Sequence, residues 1–202
     1  MLRYLIDPAN AITMFGLICS SVALCFALDR RLDLAVAAGL WAVLADHLDG
    51  VVASYTRNRE PDIAKMGKSL DGFGDIIYGA ILPAVIVVQL NNVSRLSFFI
   101  AILLLLTGTI RLSYFANFGK SSEGRFLGVP LSYDIPLLAA LLLFRPLLQP
   151  DGFVPIVDVA FIALGIAHVA SVRVPSPNKV MYLLITVFAI AASAILLHRG
   201  AF

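Results

Sequence analysis

The stretch Val180–His198 reads VMYLLITVFAIAASAILLH and contains no Asp, Glu, Lys or Arg. A helix needs about 20 mostly apolar residues to cross a membrane, because the hydrocarbon core is about 30 Å thick and a helix rises 1.5 Å per residue. Two more uncharged windows of this kind occur, at Asn10–Leu28 and Ile76–Ser94. These three stretches predict membrane-spanning helices.

Four weaker apolar windows lie between them, each with one or two charged residues. They are Leu34–Tyr55, Leu96–Phe118, Leu131–Leu148 and Phe153–Val172. The chain is 60% hydrophobic and 14% charged, whereas soluble domains are about 45–50% apolar and about 25% charged. We therefore predict an all-α polytopic transmembrane helix bundle of about six to seven spans. This composition excludes a soluble nucleic-acid-binding protein.

The polar connections between these windows are short. They leave no room for a soluble domain, so the sequence predicts a single membrane domain over residues 1–202. Any chemistry must then come from the helices and their ends.

The basic residues predict the orientation. With seven spans, nine of the fifteen fall on one face and five on the other, while Arg111 lies within a span. The nine are Arg3, Arg57, Arg59, Lys65, Lys68, Lys120, Arg125, Arg173 and Lys179, and the five are Arg30, Arg31, Arg95, Arg145 and Arg199. Because positive charge is enriched in cytoplasmic loops, we expect the nine-charge face on the cytoplasmic side of an inner or plasma membrane.

Two pairs of aspartates lie near that face. Asp46 and Asp49 are at the end of the predicted second helix. A polar loop is predicted at Thr56–Lys68, followed by a third helix over 67–89 that carries Asp71 and Asp75 in its first turns. We expect Pro83 to kink this helix, since proline removes a helix hydrogen bond.

Both pairs form stripes on their helices. At 100° per residue, Asp49, Gly50 and Ala53 all lie within about 60° of Asp46. In the third helix, the acidic stripe also contains a glycine: Gly67, Asp71 and Asp75 are each four residues apart. Carboxylates within a membrane generally face a partner or a cavity.

Four clustered carboxylates repel one another unless cations neutralise them. A set of oxygen ligands suits hard divalent ions such as magnesium, manganese or calcium. Glycines beside them permit a close approach of a ligand or of a neighbouring backbone. The pattern therefore predicts a divalent-metal site with space for a nucleotide.

The segments Asp46–Ala53 (DHLDGVVA) and Gly67–Asp75 (GKSLDGFGD) resemble the CDP-alcohol phosphotransferase signature, D-x-x-D-G-x-x-A-R, a spacer and G-x-x-x-D-x-x-x-D. This resemblance implies two Mg²⁺ or Mn²⁺ ions on the CDP diphosphate. Asp46, Asp49 and Asp71 would be the main metal ligands. Asp75 would be the catalytic general base and an additional metal ligand.

The resemblance also implies a set of CDP-binding residues. Pro8–Thr13 is similar to an N-terminal P-N-x-x-T motif of the family, which adds Asn10. The implied set is Asn10, Asp49, Gly50, Ala53, Arg57, Arg59, Gly67 and Asp71.

The chain departs from the signature at two points. Ser54 stands where the family has arginine, and the spacer Tyr55–Met66 is longer than in the family pattern. Either Arg57 or Arg59 would replace the missing guanidinium, or both are simply charges on the membrane surface.

Three further segments are similar to membrane phosphatidylserine synthases of bacteria and archaea. They are Arg111–Phe115 (RLSYF), Gly128–Pro130 (GVP) and Ser171–Ser176 (SVRVPS). This similarity implies that Arg111 binds an acidic group of the acceptor or a lipid phosphate; the alternative is a salt bridge between Arg111 and an aspartate.

The implied activity is transfer of a phosphatidyl group from CDP-diacylglycerol to a small alcohol, with release of CMP. L-Serine is the first candidate acceptor, and inositol phosphate, glycerol phosphate and choline are alternatives. A homodimer in contact with membrane lipid is implied as well. A divalent-cation transporter and an inactive nucleotide-binding relative remain competing interpretations. No role is predicted for His47, His168 or His198.

Overall fold

The computed structural model describes residues 2–56, 59–149 and 151–201. Helices dominate this part of the chain. The α-helices are α1 (Pro8–Leu28), α2 (Leu32–Tyr55), α3 (Pro61–Ile76), α4 (Leu82–Leu90), α5 (Arg95–Phe118), α6 (Asp134–Phe144), α7 (Phe153–Val169) and α8 (Lys179–Ala201). Short 3₁₀ turns cover Leu2–Leu5, Leu131–Tyr133 and Arg145–Leu147, and a π turn at Ile77–Ile81 joins α3 to α4.

Helical structure is present at all seven predicted windows. Five helices are long and apolar enough to cross a membrane: α1, α2, the continuous segment Pro61–Leu90, α5 and α8. Helix α7 has 17 residues, at the lower limit for a span. Helix α6 has only 11, and 3₁₀ turns extend it at both ends. The all-α polytopic bundle predicted from the sequence is confirmed, and the chain has the helices of an integral membrane protein.

The predicted loop Thr56–Lys68 is wrong in its second half. Helix α3 begins at Pro61 rather than Gly67, with Glu60 as its N-cap residue. Proline is favoured in the first turn of a helix, because its missing N–H has no partner there in any case. Gly67, Asp71 and Asp75 therefore lie on one continuous helix.

The irregularity expected at Pro83 lies just before it. The Leu82 N–H donates to the Ile77 carbonyl, which gives the wide π turn Ile77–Ile81. Because Pro83 has no N–H, it cannot donate to the Gly79 carbonyl four residues earlier. The chain accommodates this loss by widening the preceding turn, and Tyr78 is buried within that turn.

Helix α2 lies at the centre of the bundle and packs against α1, α6 and α8. Small residues bring α1 close to it: a Cβ added at Gly16 would lie 3.0 Å from the Ala45 Cβ. Small residues permit this close packing between membrane helices. The first turns of α1 are thereby held beside the end of α2 that carries Asp46 and Asp49.

A two-stranded antiparallel ribbon lies at the same end of the bundle. Strand β1 (Phe126–Leu127) pairs with β2 (Arg173–Val174), so that Phe126 is opposite Val174. The ribbon ties the loop after α5 to the loop before α8. Phe126 contributes to a cavity described below.

Candidate active site

Three aspartates from two helices converge. Asp46 of α2 and Asp71 and Asp75 of α3 each present a carboxylate oxygen, and these oxygens lie within 4.8 Å of one another. Opposite oxygens around a bound divalent ion are about 4–5 Å apart, for metal–oxygen distances of about 2.1–2.6 Å. Among the described residues, no Lys or Arg forms an ion pair with these carboxylates. The donor set therefore fits a hard divalent cation.

Asp49 is oriented differently from the other three aspartates. Its Oδ2 accepts a hydrogen bond of 2.5 Å from the Thr13 hydroxyl of α1, and it is not part of the three-carboxylate group. Thr13 also donates to the Ala9 carbonyl. Asp49 is thus held at the side of the cluster that faces α1.

A cavity of about 180 Å³ lies on that side, between α1, α2 and α3. Every predicted CDP-binding residue that the structure describes lines it. These residues are Asn10, Asp49, Gly50, Ala53, Arg59, Gly67 and Asp71. The remaining one, Arg57, lies outside the described residues. We call this space the small cavity.

Arg59 points into the small cavity rather than away from the protein. Its Nη2 lies 2.9 Å from Asp7 Oδ1 and donates to Asn10 Oδ1 at 2.5 Å. Only 16% of the side chain is exposed. Ser54, which occupies the position of the signature arginine, donates to the Val51 carbonyl instead. The structure thus places Arg59 beside Asn10 and Gly67.

Gly67 is required by this arrangement. A Cβ at position 67 would collide with the amide oxygen of Asn10 and lie 2.8 Å from Arg59 Nη2. Asn10 in turn donates to the carbonyls of Tyr4 and Ile63. The glycine thus gives α1 and Arg59 access to the helix that carries Asp71.

A second space, of about 550 Å³, extends from the other side of the cluster. We call it the large cavity. All four aspartates line it, together with Arg111 of α5. Among the described residues, the buried Nε of Arg111 has no hydrogen-bond partner, and Arg111 forms no ion pair. Its guanidinium lies 5.7 Å and 5.8 Å from the ring centroids of Phe115 and Phe126.

The alternative interpretation of Arg111 required a close ion pair with an aspartate. Among the described residues Arg111 forms no such pair, although it interacts electrostatically with Asp75 and Asp134. Arg111 and Asp75 line the same cavity. An uncommitted guanidinium near the acidic cluster suits an anionic group of a ligand.

Sequence reasoning missed two partners of the cluster. The buried Tyr78 hydroxyl donates to Asp75 Oδ1 at 2.6 Å, and Thr13 donates to Asp49. The spacing of three residues from Asp75 to Tyr78 places both side chains on one helix face. This spacing could have predicted the contact from the sequence. For Thr13, the resemblance of Pro8–Thr13 to the P-N-x-x-T motif was the one indication in the sequence of a role near the site.

Two histidines that received no role have defined environments. His47 lines the large cavity, bonds through Nδ1 to the Val43 carbonyl and makes an edge contact with Tyr182 at 5.5 Å. His168 is 2% exposed, and its Nε2 lies 3.2 Å from Oδ2 of the fully buried Asp134. Helical spacing within one segment could not predict this pair, because Asp134 and His168 lie on different helices.

Together these features define a class: a helical membrane protein with a carboxylate cluster suited to metal ions, located between two cavities. The chain belongs to the CDP-alcohol phosphatidyltransferase family, whose sequence model matches residues 7–172.

The chain is also similar to the archaetidylserine synthase of Methanothermobacter thermautotrophicus. The two are 28% identical over 157 residues, which is 76% of this chain. The match spans 63% of the length of that relative.

Proposed function

We propose that the protein transfers a phosphatidyl group from CDP-diacylglycerol to a small alcohol and releases CMP. One observation carries this proposal: Asp49, Gly50 and Asp71 line both cavities. A nucleotide diphosphate in the small cavity and an acceptor in the large cavity would then meet at the carboxylate cluster. Family membership supports the same reaction class.

The small cavity would hold the CDP diphosphate. Asn10, Arg59 and Gly67 line it together with Asp49 and Asp71. The Arg59 guanidinium would take the place of the signature arginine, because its planar N–H donors match phosphate oxygens. Asp7, its present partner, would hold it in position.

Asp46, Asp49 and Asp71, together with Asp75, would hold two Mg²⁺ or Mn²⁺ ions. When bound, such ions withdraw charge from a diphosphate and stabilise its leaving oxygen. The three-carboxylate group is compatible with this assignment. The protein's own contribution is to hold these oxygens in place, with Asp46 on one helix and Asp71 and Asp75 on another.

Asp75 would accept the proton of the incoming hydroxyl. It lines the large cavity, and the hydrogen bond from Tyr78 fixes one of its oxygens. A positioned carboxylate of this kind acts as a general base.

L-Serine is the acceptor that we propose first. Arg111 would bind its carboxylate, and the similarity to a protein named archaetidylserine synthase supports this choice. Inositol phosphate and glycerol phosphate also carry an anionic group, whereas choline does not. Choline is therefore the acceptor least suited to Arg111.

We further propose that residues 1–202 act as one membrane domain with the site on the cytoplasmic face. All four lysines lie on that side in the predicted topology, which agrees with the positive-inside bias. The homodimer implied by the family resemblance remains a prediction.

The test is release of CMP by the purified protein from labelled CDP-diacylglycerol, with serine, inositol phosphate, glycerol phosphate and choline as separate acceptors. We expect CMP and a lipid product with serine. CDP-lipid binding without CMP release would identify an inactive relative. Movement of divalent cations into proteoliposomes without any release of CMP would favour the transporter.

A further inference from the structure

A third cavity, of about 370 Å³, lies at the opposite end of the bundle. Its wall includes Arg30 and Arg31 from the turn between α1 and α2, and Arg145 after α6. Asp33 at the start of α2 lines it too. Since Asp33 precedes Asp46 by 13 residues on the same helix, this arginine cavity is about 20 Å from the carboxylate cluster. Neither the family signature nor the proposed reaction involves it.

The three guanidiniums retain most of their donors. Arg30 donates to Asn92 Oδ1 and Arg31 to the Gly200 carbonyl, both at 3.3 Å, which is long for such bonds. The Arg145 side chain makes no hydrogen bond with the described residues; its guanidinium lies 5.2 Å from the Phe153 ring centroid. Each guanidinium has five N–H donors, so donors remain available in all three.

Positive charge dominates the arginine cavity. Asp33 is the one acidic residue among those that line it, and its Oδ2 lies 3.8 Å from Arg199 Nε. The three lining arginines thus face a carboxylate that already has a cationic neighbour. In the part of the chain that the structure describes, the buried Asp33 Oδ1 and Gln89 Oε1 have no hydrogen-bond partner. Both atoms are acceptors, so water or a donor group of a ligand would satisfy them, while an anionic group would be bound by the arginines alone.

The basic residues on the two membrane faces differ in type. All four lysines of the chain lie on the face of the carboxylate cluster, while the basic residues of the opposite face are all arginine. Three of the five basic residues on this face, Arg30, Arg31 and Arg145, meet at one cavity, although the positive-inside bias leaves the face with fewer basic residues than the other. Arginine binds phosphate through paired N–H donors, which lysine cannot reproduce.

We propose that the arginine cavity binds a phosphate group at the membrane face opposite the active site. The phosphate would come either from the head group of an anionic phospholipid or from a free phosphate compound. In both cases Arg30, Arg31 and Arg145 contact its oxygens. The site is separate from the one that holds the CDP-lipid.

The test measures binding of labelled phosphatidic acid to the full chain in detergent. EDTA is present, so that metal-dependent binding at the carboxylate cluster does not contribute. We expect phosphatidic acid to bind and phosphatidylcholine to bind at least about ten-fold more weakly, since phosphatidylcholine carries no net charge. Equal binding of the two lipids would overturn the proposal.

The Arg31→Gln/Arg145→Gln variant should lose at least about ten-fold in affinity for phosphatidic acid. Arg95→Gln is the matched control, because Arg95 lies on the same membrane face, is exposed and does not line the cavity. A loss of the same size in Arg95→Gln, or a loss in Arg111→Gln in place of the double variant, would show that the lipid binds elsewhere.

Two further measurements keep the test decisive if the glutamine variant does not fold. The Arg31→Lys/Arg145→Lys variant keeps the charge but not the paired donors, and we expect it to bind phosphatidic acid more weakly than the unmodified chain. With the unmodified chain, inorganic phosphate or glycerol phosphate is added to compete with labelled phosphatidic acid. Displacement of the lipid would identify a free phosphate compound as the ligand. Lipid-selective binding without such competition would identify the head group. Undiminished binding in both the lysine and the glutamine variants would refute the site.

Discussion

Two groups of carboxyls in the bundle, one fully buried and one partly buried, contrast with each other. Asp134 of α6 is fully buried and has a histidine partner on α7, His168, at 3.2 Å. One carboxylate oxygen from each of Asp46, Asp71 and Asp75 lies within 4.8 Å of the other two. No Lys or Arg of the described residues forms an ion pair with them. Asp75 has a hydrogen bond from Tyr78, which does not neutralise its charge.

The contrast separates a structural pair from a functional cluster. A buried acid with a partner inside the protein is stabilised by that contact, as Asp134 is by His168. Three adjacent carboxylates repel one another, and Arg111 interacts with Asp75 without forming an ion pair, so bound cations would stabilise the cluster. The cluster also opens onto cavities, whereas neither Asp134 nor His168 lines the small or the large cavity.

Removal of divalent metal should have the largest effect. If bound divalent cations neutralise the negative charge of the carboxylate cluster, excess EDTA should abolish CMP release. Added magnesium or manganese should restore it. The measurement is CMP release from CDP-diacylglycerol before and after chelation. Full activity in excess chelator would contradict the metal site.

Substitution of two cluster members should separate ligand from base. Asp71→Asn removes a metal ligand, so affinity for CDP-lipid and turnover should fall together. Asp75→Asn keeps the oxygen that accepts from Tyr78 but loses basicity. It should retain metal-dependent CDP-lipid binding and lose turnover by about 10²–10⁴-fold.

Calorimetric binding and CMP release on the same preparations distinguish these outcomes. If Asp75→Asn loses binding as severely as Asp71→Asn, all four aspartates are better described as ligands. If it keeps near-normal turnover, another group must accept the proton.

Disruption of the structural pair should affect stability rather than chemistry. His168→Ala leaves Asp134 buried without its partner, which should lower the free energy of unfolding by about 3 kcal/mol. The metal dependence of CMP release, measured per folded molecule, should not change. The measurement is denaturant unfolding in detergent, with the exposed His198→Ala as a matched histidine control. A changed metal requirement in His168→Ala would place the pair within the active site.

Substitution of Arg59 should have the smallest effect of the four changes. Arg59→Ala should weaken CDP-lipid binding by about ten-fold, as expected for loss of one charged hydrogen-bonding group. Arg57→Ala is the comparison, since the sequence left these two arginines equivalent. Unchanged affinity in the Arg57→Ala/Arg59→Ala double variant would show that neither replaces the signature arginine, and Ser54→Arg should then strengthen binding.

The sequence alone determined the helical membrane fold, because apolar windows of sufficient length have few alternatives in a bilayer. It also indicated the acidic stripes on α2 and α3, since residues at i, i+3 and i+4 share one helix face. It did not determine where α3 begins. Polar residues before Gly67 suggested a loop, whereas Pro61 is well suited to start a helix.

Only the tertiary structure decided which residues meet across helices. Asp134 with His168, Thr13 with Asp49, and Arg59 with Asn10 are all separated by more than 30 residues in the sequence. Helical periodicity describes one helix at a time, so it cannot indicate which faces pack together. Those contacts depend on how closely small residues such as Gly16 and Gly67 let the helices approach, and this close packing places the two cavities on either side of the aspartates.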